Sequence, residues 1–102
     1  MSEAVLTKRC KKYFDMLSRT YPDFYYNKMS HRYESGLPDY YVLFRTVSIW
    51  IELKAKGKSI KPLQNHVMMR LHRAGAITLW TSDFEQVKKL VDDIIGIDDI
   101  IA

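Results

Sequence analysis

The stretch from Gly36 to Lys56 limits the fold most. Two apolar runs, Tyr40 to Phe44 and Val47 to Leu53, flank the pair Arg45-Thr46. Both are rich in aromatic and β-branched residues and read as neighbouring central strands joined by a tight turn. They nonetheless meet charge where buried strands should not: Asp39 opens the first, and Glu52 and Lys54 close the second. Side chains alternate faces along a strand, so Glu52 and Lys54 point the same way, about 6 to 7 Å apart, with the neighbouring strand about 5 Å off. Antiparallel pairing sets the start of one run beside the end of the other. Asp39, Glu52 and Lys54 then meet on one face of the sheet.

Two carboxylates held together at the edge of an apolar sheet repel each other. Partial desolvation makes keeping both ionised costly unless a cation neutralises them. Oxygen ligation without a thiolate selects a hard divalent ion, Mg2+ or Mn2+. A charged lysine is no ligand, but it can hold a water and offset charge building on a phosphate. That set suits phosphodiester hydrolysis. A plainer reading stays open at this point: Leu37-Pro38-Asp39 can simply turn the chain, and Glu52 and Lys54 can pair with cross-strand charges.

At 102 residues the chain is expected to be one domain, 1–102, with a modest core that association would help. It has 47% apolar residues, no run long enough to span a membrane and no signal peptide pattern, so a soluble cytoplasmic protein is expected. The single cysteine, Cys10, permits no internal disulfide and no cysteine zinc cluster, which fits a reducing cytosol. Net charge is +4, unevenly spread. Residues 1–81 hold fourteen Lys and Arg against six Asp and Glu, and residues 82–102 hold two against six. The basic part contains Asp39, Glu52 and Lys54, and a polyanion such as nucleic acid is the economical partner.

Along the chain, residues 3–19 predict an amphipathic helix with Leu6, Cys10, Tyr13, Phe14 and Leu17 on one stripe and Ser2 as N-cap. Glu3 falls within that stripe, either facing the site or complementing the helix dipole. A short strand is expected within 24–29, then a loop to Gly36 in which Arg32 is placed to contact phosphate. Lys56, Lys58 and Lys61 occupy a basic loop after Lys54, where a DNA backbone would pass. Pro62 opens a helix to about Ala74 that sets Leu63, Val67 and Leu71 on the sheet, with Gln64 at the edge of the stripe. Arg70 and Arg73, with His66, extend the basic surface. Gly75 caps that helix. Ala76 to Trp80 predicts a strand, and a capping box from Ser82 to Glu85 opens a last helix burying Phe84, Val87, Leu90, Val91 and Ile94. Residues 91–101 repeat Asp-Asp-Ile-Ile, with repelling acids and exposed isoleucines, and 96–102 read as a docking or frayed tail. The order predicts a three-layer α/β domain with a mixed central sheet flanked by helices.

Asp39 followed by Glu52-Leu53-Lys54 resembles the PD-(D/E)XK nuclease signature, with Pro38-Asp39 supplying its first letters. The wording is similar to one branch, the virus-type replication-repair nuclease (VRR-NUC) domain, in Ser35-Gly36-Leu37-Pro38-Asp39, Ile51-Glu52-Leu53-Lys54, Gln64 and Gly75. The resemblance spans nearly the whole chain and implies a restriction-endonuclease-like core. It implies that Asp39, Glu52, the Leu53 carbonyl and Glu3 hold Mg2+, with Mn2+ able to substitute. It further implies that Lys54 activates water and that Gln64 helps order water or phosphate. No small-molecule cofactor is implied. Small stand-alone VRR-NUC proteins occur in phages and bacteria and act as two-fold dimers on branched DNA. The expectation is therefore a homodimeric Holliday junction resolvase leaving a 5′-phosphate and a 3′-hydroxyl. The alternatives are a flap- or nick-directed nuclease, a non-specific nickase, or an inactive DNA-binding module.

Overall fold

A computed structural model describes residues 2–29 and 36–101, the side chains of 97–101 excepted. Seven elements follow in order: α1 (Glu3–Thr20), β1 (Phe24–Lys28), β2 (Tyr40–Phe44), β3 (Val47–Leu53), α2 (Pro62–Arg73), β4 (Ile77–Thr81) and α3 (Phe84–Ile101). The strands form one sheet in the order β1-β2-β3-β4, antiparallel across the first two pairings and parallel between β3 and β4. This is the expected three-layer α/β arrangement with a mixed sheet. No helix is long and apolar enough to cross a membrane among the described residues.

The β2–β3 hairpin turns on Arg45 and Thr46, with Phe44 opposite Val47. Arg45 adopts φ +54°, a left-handed conformation that costs a residue with a Cβ roughly 1 kcal/mol. Its Nε donates to Asp23 Oδ2 at 3.1 Å and its guanidinium lies over the Phe44 ring, which ties the turn to the connection between α1 and β1.

One face of the sheet is dry. Phe24, Tyr40, Val42, Phe44, Ile49, Ile51 and Leu53 are buried there against the stripe Leu6, Cys10, Tyr13, Phe14 and Leu17 of α1, and against Phe84, Val87, Val91 and Ile95 of α3. Phe14 packs on the rings of Tyr13, Phe24, Tyr26 and Tyr40. Ser2 caps α1 by accepting from the Val5 N–H. The cap of α3 departs from expectation. Asp83, not Ser82, accepts from the Glu85 N–H, because β4 runs on to Thr81 and starts the helix one residue later. Of the residues expected to be buried on this helix, Leu90 and Ile94 are only half-buried, and Ile95, not among them, is buried. Asp92 and Asp93, expected to repel, each meet a lysine one turn earlier, Lys88 and Lys89. The helix carries on to Ile101, through the segment expected to fray or dock.

The opposite face is covered by α2 alone, and thinly. Only Met68 is buried on this helix, and Leu63, expected against the sheet, is 50% exposed. The helix is turned so that Gln64 and Met68 face the strands, whereas Leu63 and Val67 lie against Gly36. Its C-terminus closes as expected: Gly75 at φ +104° lets its N–H reach the His72 carbonyl and the Ala76 N–H reach that of Leu71.

Candidate active site

The hairpin register pairs Tyr40 with Ile51, so the next step outward sets Asp39 beside Glu52. Both lie on the α2 face by the alternation of the strands. Asp39 Oδ2 accepts the Leu53 N–H at 2.8 Å, which holds the aspartate across the end of β3. The residues before it are placed by packing. Pro38 is fully buried, and Gly36 at φ +88° sits so close to α2 that a Cβ there would lie 2.9 Å from Leu63 Cγ and 3.1 Å from the Leu63 carbonyl oxygen. Gly36 therefore sets how near the first turn of α2 approaches the strands. Its contact with Leu63 has no signature in the sequence.

That first turn carries Gln64. Its Oε1 accepts the Lys61 N–H at 2.9 Å, a side-chain cap that leaves Nε2 aimed at the sheet. Nε2 donates to Glu52 Oε2 at 2.8 Å. The ammonium of Lys54 lies 3.3 Å from the same oxygen and is itself largely buried. Glu52 is 3% exposed, and its other oxygen, Oε1, is buried without a hydrogen-bond partner among the described residues. Burial pushes the Glu52 carboxyl up to about 7, the neighbouring Asp39 carboxylate pushes the same way, and Lys54 opposes both.

A buried carboxylate oxygen in this position needs a proton, a water or a cation. Among the described residues no three His, Cys, Asp or Glu side chains gather into a group that could hold a metal ion. The donor set is thus two carboxylates, Asp39 and Glu52, with the carbonyl of Leu53, the residue after Glu52. Few protein oxygens and no nitrogen or sulfur suit Mg2+, which keeps several waters and takes further ligands from a phosphate substrate. The residues present fit such an ion. Glu3 is exposed in the first turn of α1, in a cleft with Lys8 and Lys28, and is not gathered with the two acids.

Of the residues expected to meet nucleic acid, Lys56, Lys58 and Lys61 are exposed in the loop leading from Lys54 to α2, and Arg70 and Arg73 are exposed in its last turns. Arg32 lies outside the described residues. No Asp or Glu occurs between Glu52 and Asp83, a span holding six Lys and Arg, so the whole covering of this face is cationic. Reading strands one by one also missed Trp80, which the parallel β3–β4 register places opposite Glu52.

No protein-family model matches the chain, and no curated protein does. Among solved structures, a VRR_NUC domain is similar at 29% identity and a TM-score of 0.71, covering 90% of this chain and 96% of its own.

Proposed function

We propose, from the likeness to a VRR_NUC domain structure, that the chain is a nuclease domain and, more finely, a metal-dependent, structure-specific endodeoxyribonuclease acting on branched DNA, with the four-way (Holliday) junction as its substrate. The observation that carries the reading is the convergence of Asp39, Glu52 and Lys54 on one sheet face, with a buried Glu52 oxygen left without a partner. Asp39, Glu52 and the Leu53 carbonyl would hold Mg2+, or Mn2+ in its place. When bound, such an ion supplies Lewis-acid stabilisation of the phosphoryl oxygens and a more acidic water.

Lys54 is placed to orient the attacking water and to offset the charge that develops on the phosphate. Gln64 is a positioning residue: its amide, fixed by the Lys61 N–H, holds Glu52 in place. Water oxygen attacks phosphorus in line, the bond to the 3′ oxygen breaks, and that oxygen takes a proton, leaving a 5′-phosphate and a 3′-hydroxyl. Lys56, Lys58, Lys61, Arg70 and Arg73, with Arg32, contact phosphates without reading bases, so selection is by shape. A two-fold dimer would present two such sites across a dyad, matching the symmetry of a four-way junction.

The test is cleavage of end-labelled four-way junction and linear duplex, in Mg2+ or EDTA, by the native protein and by Asp39→Ala. Symmetric cuts across the junction, lost with EDTA and with the variant, are expected. Equal cutting of linear duplex would remove junction selectivity, and tight binding without cleavage under any divalent ion would leave a DNA-binding module. Light scattering at micromolar concentration that finds only monomer would remove the dyad argument.

A further inference from the structure

Beside the acids, α2 and β4 form a cleft of about 360 Å³, of which the hydrolytic reading uses only Arg73. Its floor is Trp80, 42% exposed although it is among the largest apolar side chains in the protein. The β3–β4 register sets Trp80 directly opposite Glu52, one strand spacing or about 5 Å away and on the same side of the sheet. The wall is α2. One turn after Gln64, whose amide holds Glu52, Met68 and Met69 line the cleft with polarisable thioethers, and Asn65, His72 and Arg73 stand around them.

We propose that this cleft holds one unpaired nucleotide of the DNA substrate next to the scissile phosphate, its base on Trp80 and its phosphate against Arg73. The proposal rests on the nuclease reading and names what its site selects. An exposed indole floor flanked by thioethers suits the flat face of a base, which stacks without regard to sequence. The Asn65 amide can meet a base edge, and the guanidinium of Arg73 can meet a phosphate. Charge separates this occupant from a protein segment, because the covering from Lys54 through Arg73 carries cations and no acid. The volume lies in the range of small-molecule sites. A continuous duplex has no free base to place there, whereas a flap, or a junction whose central pairs open, has.

The test uses Trp50→Phe protein, in which Trp80 is the sole tryptophan. It is titrated in EDTA with a duplex bearing a single-nucleotide flap and with the continuous duplex of the same sequence. Trp80 emission should be quenched by the flap and not by the continuous duplex. In the otherwise native chain, Trp80→Ala should weaken flap binding about ten-fold, leave duplex binding unchanged, and be largely rescued by Trp80→Phe. Equal losses on both substrates, or flap binding without quenching, would overturn the proposal. Quenching that rises with protein concentration in the absence of DNA would overturn it too, assigning the cleft to a second copy of the chain. Cleavage by the native protein in Mg2+ reads the underlying function separately. A flap that quenches Trp80, when neither it nor the four-way junction is ever cut, supports the cleft and removes the nuclease, and a flap cut without quenching does the reverse.

Discussion

The two faces of the sheet are built from alternate residues of the same strands, yet they are covered in opposite ways. Under α1 and α3, aromatic and aliphatic side chains close into a dry core in which Phe14 alone packs on four other rings. Under α2 the cover buries one residue of its own, Met68, and the strands offer it Glu52 and Trp80. Folding free energy is concentrated on the first face. The second can therefore tolerate a buried carboxylate whose Oε1 has no partner among the described residues, a feature that costs stability and that the proposed function turns to cation binding.

The contrast breaks most visibly by core deletion. Phe14→Ala should cost about 3 to 5 kcal/mol, against about 2 kcal/mol for Met68→Ala, the low end of such truncations. Urea denaturation measures both, and equal losses would mean that the faces share the stability evenly.

A second contrast is electrostatic. With Glu52 raised from its ordinary 4.5 to about 7, the unfolded chain releases this proton first as pH rises. The stability that goes with the raised value is present below pH 4.5 and is lost between about 4.5 and 7 in metal-free protein. The loss is on the order of 3 kcal/mol, and it should appear as the difference between the native chain and Glu52→Gln in denaturation at pH 5 and pH 8. A difference that stays constant with pH would show that Glu52 is not held at a raised value.

Smaller changes should sharpen the link between α2 and the acids. Gln64→Ala should leave the fold intact and lower cleavage about 10- to 100-fold, as for other residues that orient a ligating group. Gly36→Ala should cost roughly 1 to 2 kcal/mol from its left-handed backbone, and should also slow cleavage, because the added methyl displaces Leu63 and with it the turn bearing Gln64. Normal cleavage by Gly36→Ala would separate the glycine from the site. At the far end of the scale, Lys89→Ala, which removes an exposed helical pair with Asp93, should change stability by no more than about 0.5 kcal/mol.

Much of this was legible in the residues. The hairpin strands fall at 40–44 and 47–53 as their β-branched and aromatic runs predict, since both are buried on one side and pinned by a two-residue turn. The meeting of Asp39, Glu52 and Lys54 follows from strand alternation together with antiparallel pairing across the hairpin. What sequence periodicity could not supply was tertiary. The rotation of α2 is set by the bond between Gln64 and Glu52 and by the seat of Leu63 on Gly36, so Met68 rather than Leu63 is buried. The α3 cap moved because Ser82 and Asp83 are both capping residues and only the end of β4 decides between them. Trp80 went unnoticed because nothing in a single strand tells which residue of a parallel neighbour it will face.

The central claim is that Glu52, whose Oε1 has no partner among the described residues, is half of a cation site. Mn2+ binding, followed by electron paramagnetic resonance on the native protein and on Glu52→Gln without DNA, tests it most directly. The account predicts binding by the native chain and at least a ten-fold weakening, or about 1.4 kcal/mol, in the variant. Equal Mn2+ affinity in both would contradict it and place the metal, if there is one, elsewhere.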